Sequence, residues 1–259
     1  MKLVRHVAWE IWLPIVLLVV WWFASADSMN TYFPPLHDIL ERSKELWFWQ
    51  GTREDVLPSL RRLAVGYLIA VAAGTLVGLL LGGVHWLESA TRPYVEFLRS
   101  TPGIALMPLV SLVFGLGDLF KIVTIALVCC WPVLLNTIDG VHSVEPQLRD
   151  VATSYRLTTA ERVRFILLPS AAPQIFAGAR TALAIGVIAM TASEMIGIGG
   201  GLGYFTLNAS TAFDYTGLWS GIIALGVVGY ILNKLFAAVE RTVLAWHYGL
   251  VAHSQGGTR

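Results

Sequence analysis

The chain has 259 residues, 56% of them hydrophobic and only 14% charged, with ten tryptophans and a formal net charge of +1. Soluble domains carry about 25% charged residues, so this composition points to a membrane protein. A net charge this small gives no reason to expect nucleic acid or a strongly acidic partner. The only cysteines, Cys129 and Cys130, are adjacent in an apolar run, which excludes a disulfide framework and predicts packed free thiols.

Six apolar runs approach the roughly 20 residues that a bilayer requires. The first, Val7 to Ala24, follows Lys2 and Arg5. Ala24-Ser25-Ala26 has the small-residue spacing of a signal cleavage site, but Glu10, Pro14 and the Trp21-Trp22-Phe23 cluster suit a retained anchor with an aromatic belt. After it, Pro34-Pro35 opens a helix whose stripe of Leu36, Ile39, Leu40 and Trp47 suits an outer interfacial position. The second run, Leu63 to Leu87, carries no formal charge. In it Gly66, Ala70, Gly74, Gly78 and Gly82 recur every four residues and form one ridge of small side chains, the pattern of close helix packing in lipid.

The third run, Ser100 to Gly117, and the fourth, Ile122 to Ile138, are separated by Asp118 to Lys121, read as a tight extracytoplasmic turn. The fifth spans Pro173 to Ile196 and the sixth Tyr215 to Asn233. Gly178, Ala182, Gly186 and Met190 form a second row on the fifth, ending at Glu194. Arg180 and Glu194 lie about 21 Å apart along such a helix, too far to pair. Ionisable residues in spans usually face a bundle interior or watery cavity. Arg180 fits that placement or the cytoplasmic headgroups equally. Glu194 fits an inward role rather better than the outer interface.

Between the fourth and fifth runs lies a polar insert, Leu148 to Pro169, carrying Arg149, Arg156, Arg162 and Arg164. Thr158 and Glu161 make a capping-box pattern, so a helix is predicted from Thr158 until Pro169 stops it. An earlier helix is predicted after Ser143, with Glu145 and Pro146 in its first turn. Two short helices with Tyr155 and an apolar face of Val163, Ile166 and Leu167 describe a docking knob better than a solvated loop. With the N-terminus inside, six spans put this knob and the C-terminal tail in the cytosol. The positive-inside bias agrees weakly, because Arg42, Lys44, Arg53, Arg61 and Arg62 fall outside.

No G-x-x-x-x-G-K-[ST] sequence is present, so the chain has no P-loop with which to hydrolyse ATP. The run GIGGGLG, Gly197 to Gly203, follows a span, lacks lysine and reads as a flexible or tightly turning outer loop. Neither G-x-S-x-G nor H-E-x-x-H occurs, and the six histidines show no ligand spacing.

The insert resembles the EAA loop of binding-protein-dependent ABC importer permeases, whose coupling helices sit in a cleft of the ATPase subunit. Arg99 to Lys121, then Pro132, Asn136, Thr137 and Gly140, then Leu168-Pro169, Arg180 and Glu194, are similar to the nitrate, sulfonate and taurine group of that family. The resemblance runs from Pro34 to about residue 240. Two positions depart from the pattern: Arg156 stands where the family usually has glycine, and Asp150 where it has glutamate.

The resemblance implies an all-α integral membrane protein with six transmembrane helices in the type I importer architecture, and no catalytic or metal-binding residue. It implies one permease domain over 1–259: an N-terminal span and outer helix (1–57), a core (58–240) with the coupling loop at 140–172, and a cytoplasmic tail (241–259). It further implies an inner-membrane homodimer with both termini cytoplasmic, two ATPase subunits holding ATP and Mg, no cofactor in this chain, and an extracytoplasmic solute-binding protein. Asp150, Ala152, Ser154, Tyr155, Arg156 and Leu157 would couple to the ATPase, with small Ala152 and Ser154 seating the helix and Tyr155 and Leu157 anchoring it. Arg180 and Glu194, with Met107 and Asn136 by analogy, would line the solute path. The solute would be a sulfonate, taurine or nitrate, or else a heterocyclic vitamin precursor. Two other classes remain: a secondary carrier, which would need inverted repeats that are not evident, and an ATP-independent scaffold, which the Arg156 departure keeps open.

Overall fold

A computed structural model describes residues 2–26, 28 and 30–246, and the side chains of these except 2–11, 14 and 149. The expected roles of Lys2, Arg5, Glu10, Pro14 and Arg149, and of the tail from 247 to Arg259, lie outside the described residues and side chains. The described chain is helical: α1 (Lys2–Ser25), α2 (Leu36–Trp47), α3 (Leu57–Gly83), α4 (His85–Ser100), α5 (Met107–Phe114), α6 (Asp118–His142), α7 (Pro146–Ser154), α8 (Thr159–Arg162), α9 (Leu168–Ile196), α10 (Leu202–Thr211) and α11 (Tyr215–Val243). π-type turns at Thr52–Val56 and Val163–Leu167 run directly into α3 and α9.

Among the described residues, four continuous segments are long and apolar enough to cross a membrane: Thr52–Gly83, Asp118–His142, Thr159–Ile196 and Tyr215–Val243. They occupy the second, fourth, fifth and sixth apolar runs, and α1 occupies the first. The third run is different. Ser100 to Gly117 is not one straight helix, because α4 and the Gly103–Phe114 segment meet at 88°. Pro102 holds Thr101 extended (φ −75°, ψ 123°) and so ends α4. With eight residues, α5 is only about 12 Å long. The turn before α6 also sits earlier than expected. It is Gly115, at φ 71°, that reverses the chain, and Asp118 to Lys121 form the first turn of α6.

The chain folds as two compact units: Met1–Pro58 with Gly200–Val227, and Ser59–Gly199 with Val228–Arg259. In the first unit α1 packs on α2. Ser25 Oγ accepts from Leu36 N at 3.1 Å, and Ser43 Oγ and Trp47 Nε1 both donate to Ser220 Oγ, at 2.9 and 2.7 Å. The apolar stripe of α2 is therefore divided. Leu36 and Ile39 are buried against protein and Leu40 is exposed. Trp21 of the expected aromatic belt meets Trp219 edge to face at 5.2 Å, while Phe23 is exposed.

The second unit is built on α3, α6 and α9. The glycine ridge of α3 lies against α6: a Cβ on Gly66 would stand 2.8 Å from Ile122 O, one on Gly74 2.9 Å from Val133 Cβ, and one on Gly78 2.6 Å from Thr137 Cβ. A neighbouring flank of α6 meets α9, where a Cβ on Gly178 would stand 2.7 Å from both Asn136 Cβ and Pro132 O. Tyr67 Oη donates to Ala179 O at 2.9 Å and Cys129 Sγ to Ala182 O at 3.2 Å, tying the three helices together. Both cysteines are free.

Candidate functional site

The α6–α9 connection folds as the expected knob. Pro146 takes the first position of α7, where its missing N–H costs nothing. The expected capping box is present: Glu161 N donates to Thr158 Oγ1 at 3.3 Å and Thr158 N to Glu161 Oε2 at 2.8 Å. Between α7 and α8, Arg156 adopts φ 51°, the left-handed conformation that suits the glycine of the family pattern. Leu157 N then bonds back to Ala152 O at 3.0 Å and Arg156 N to Thr153 O at 3.0 Å, closing the end of α7. The arginine keeps the glycine turn.

The knob has its own core of Val144, Ala152 and Ile166, with Leu157 and Leu167 packed on it. Ala152 is fully buried and Leu157 half-buried within the chain. Ala152 is small because α7 must lie close to the Val163–Leu167 turn. The coupling segment likewise ends as a helix at Ser154, so Tyr155, Arg156 and Leu157 form the turn after it. The outward face carries Leu148, Val151, Asp150, Ser154 and Tyr155, with Tyr155 77% exposed. Phe165 is exposed on the neighbouring turn, under the Arg164 guanidinium at 5.5 Å. Exposed leucine, valine, tyrosine and phenylalanine on a polar loop form a contact surface.

The four expected path residues do not converge on one site. Met107 is buried in an apolar cluster with Val110 and Phe120. Asn136 is half-buried in the α6–α9 contact, its Nδ2 donating to Pro132 O at 2.8 Å. Arg180 pairs with Glu240 of α11 at 3.0 Å, with its own side chain half exposed. Glu194 is fully buried and has partners that the sequence did not reveal. Ser59 Oγ lies 2.7 and 2.8 Å from its two oxygens and Arg62 Nη1 donates to Oε1 at 3.0 Å. The same guanidinium reaches Asp118 Oδ1 through Nε and Nη2, at 2.8 and 2.7 Å, and Gly199 O at 2.8 Å.

A signal for this cluster is present in the spacing. Arg62 lies four residues before Gly66, in register with the α3 ridge. Glu194 closes the α9 row. On α6 the row Lys121, Ile125, Cys129, Val133, Thr137 and Val141 repeats the same period and is buried throughout. Each of the three packed rows therefore ends in an ionisable residue. Charge counting alone makes Arg62 an outer loop charge and Lys121 part of a turn; the structure buries both.

Residues 66–244 match the family model described as binding-protein-dependent transport system inner membrane component. The chain belongs to this family. It is thus a multi-pass inner-membrane permease subunit of an ABC importer, and not itself an ATPase. Among the relatives it is similar to, the nitrate import permease protein NrtB of Synechococcus elongatus is 34% identical over 197 residues, covering 75% of this chain and 71% of the relative. The taurine transport system permease protein TauC of Escherichia coli K12 is 29% identical over 250 residues, covering 94% and 91%. The putative aliphatic sulfonates transport permease protein SsuC of Bacillus subtilis is 29% identical over 236 residues, covering 90% and 86%. Among solved structures, a chain of the MetNI methionine ABC transporter in inward-facing conformations superposes with a TM-score of 0.67 at 21% identity, over 76% of this chain and 97% of that one. This likeness gives the permease the same fold.

Proposed function

We propose that this permease works as a homodimer with two ATPase subunits, which hold ATP and Mg, and an extracytoplasmic solute-binding protein, and that both of its termini are cytoplasmic. The observation that carries the reading is the knob. It is a folded two-helix projection with its own small core, a left-handed Arg156 and an outward apolar face. A loop with no partner would not need that face. When the ATPase subunits close on ATP, the knob moves with them and drives α6 and α9, which it joins covalently. The bundle then reopens outward to accept solute from the binding protein.

The solute is a small oxyanion of the sulfonate, taurine or nitrate type. Relatives named for nitrate, aliphatic sulfonates and taurine support this, and the binding protein sets most of the specificity. Of the expected path residues, Asn136 and Arg180 keep some exposure; Met107 and Glu194 are wholly packed against protein. Cysteine placed at Val151 or Ser154 should crosslink to an ATPase subunit in the intact, transport-active complex. Absence of any crosslink from either position in an active complex would overturn the coupling role.

A further inference from the structure

Buried charge in a membrane bundle is expensive, and α3, α6 and α9 place it all at one end. Arg62 is 4% exposed, and Ser59, Lys121 and Glu194 are fully buried; only Asp118, 49% exposed at its side chain, opens the group to solvent. Two cations face two carboxylates, so the cluster is charge-balanced, as it must be away from water. Its geometry also follows the helix ends. Asp118 occupies the first turn of α6, where the backbone amides favour an anion, and Arg62 and Lys121 lie at the carboxyl end of α9.

The cluster fastens the segment that leaves α9. Arg62 holds Gly199 O at 2.8 Å, and Ile198 N donates to Leu116 O at 3.0 Å. A Cβ on Gly197 would stand 2.7 Å from Lys121 Cε, 3.0 Å from Ser193 O and 3.1 Å from Leu116 O, so a side chain there would have to displace the lysine. The knob lies at the opposite end of α6 and α9, about 37 Å away for a 25-residue helix. Between the two ends the helices touch through glycine ridges too close to slide without repacking. A displacement of the knob is therefore carried to the charged end by stiff elements, where a single guanidinium joins three segments.

We propose that Ser59, Arg62 and Glu194 are positioning residues of the transport cycle: they form an extracytoplasmic clamp that holds the Gly197–Gly199 segment on α3 and α6 and must release for the bundle to open outward. The proposal rests on the coupling reading above, which sets the knob inside and the clamp outside. A clamp of this kind keeps ATP hydrolysis low until the loaded binding protein docks. Its loss uncouples hydrolysis from solute.

The test uses the reconstituted transporter, with thermal melting and ATP hydrolysis measured with and without binding protein. Arg62→Met alone leaves Glu194 buried without its guanidinium and should melt well below the wild type. The double variant R62M/E194M removes both charges and should recover most of that loss, since buried pairs are often replaceable by apolar residues of similar volume. A merely structural pair would then behave as wild type. The clamp predicts instead that the double variant hydrolyses ATP at least threefold faster without binding protein, and that binding-protein stimulation falls accordingly. A recovered melting temperature with the wild-type stimulation ratio overturns the proposal. If the double variant does not fold, Ser59→Ala, which removes hydrogen bonds but no charge, decides by the same ratio: raised basal hydrolysis supports the clamp and an unchanged ratio overturns it. Crosslinking from Ser154→Cys is read in parallel. Crosslinks with an unchanged ratio sink the clamp alone, whereas no crosslink sinks the coupling reading.

Discussion

Gly78 on α3 and Thr137 on α6 approach so closely that a Cβ on the glycine would stand 2.6 Å from the threonine Cβ and 2.9 Å from Leu134 O. Real side chains do not reach such distances, and the second neighbour is backbone, which cannot turn aside. Gly78→Leu or Gly74→Leu should therefore drive α3 off α6 and cost about 3 kcal/mol or more. Leu76→Ala, at a position 69% exposed and off the ridge, should melt near the wild type. Detergent thermal melts of the three variants compare them directly; equal tolerance would refute ridge packing.

Ala152→Glu should act on the knob itself. Its carboxylate would enter the apolar contact between Val144 and Ile166, and a charged group buried there must either stay neutral or force the core open. Limited proteolysis should cut the 145–167 segment faster in this variant while the membrane helices stay folded. Tyr155→Ala, at an exposed side chain, should leave the protease pattern unchanged and still abolish solute-stimulated ATP hydrolysis.

Arg156→Gly should stabilise the knob by about 1 kcal/mol, because φ 51° strains a residue with a Cβ and not a glycine. Thr158→Ala should have the opposite sign, losing about 1 kcal/mol with the capping box. Hydrogen exchange of the α7 and α8 amides reports both. Slower exchange in wild type than in Arg156→Gly would mean that the arginine makes a contact offsetting its strain.

Arg180→Ala takes the guanidinium away from Glu240, which is largely buried on α11. Glu240→Gln alone removes the opposite charge. The double variant R180A/E240Q should melt higher than R180A alone, and uptake in vesicles separates packing from transport. Wild-type uptake in the double variant would make the pair a fastening between α9 and α11 and remove Arg180 from the solute path.

The membrane class, the apolar runs, both small-residue rows and the capping box were determined by sequence alone. Each depends on residues within about one or two helical turns, and periodicity or local hydrogen bonding is visible at that range. Tertiary structure decided what faces what. Pro102 turns the third run through 88° against α4. Ala152 and Leu157 point into the knob because the Val163–Leu167 turn lies over them, a contact between segments that spacing cannot show. The same holds for Glu194. Its row on α9 was legible, but Arg62 and Ser59 lie more than 130 positions away in the chain. Only the packing of α3, α6 and α9 brings these charges together, because burying one of them at a helix end requires the others to be there.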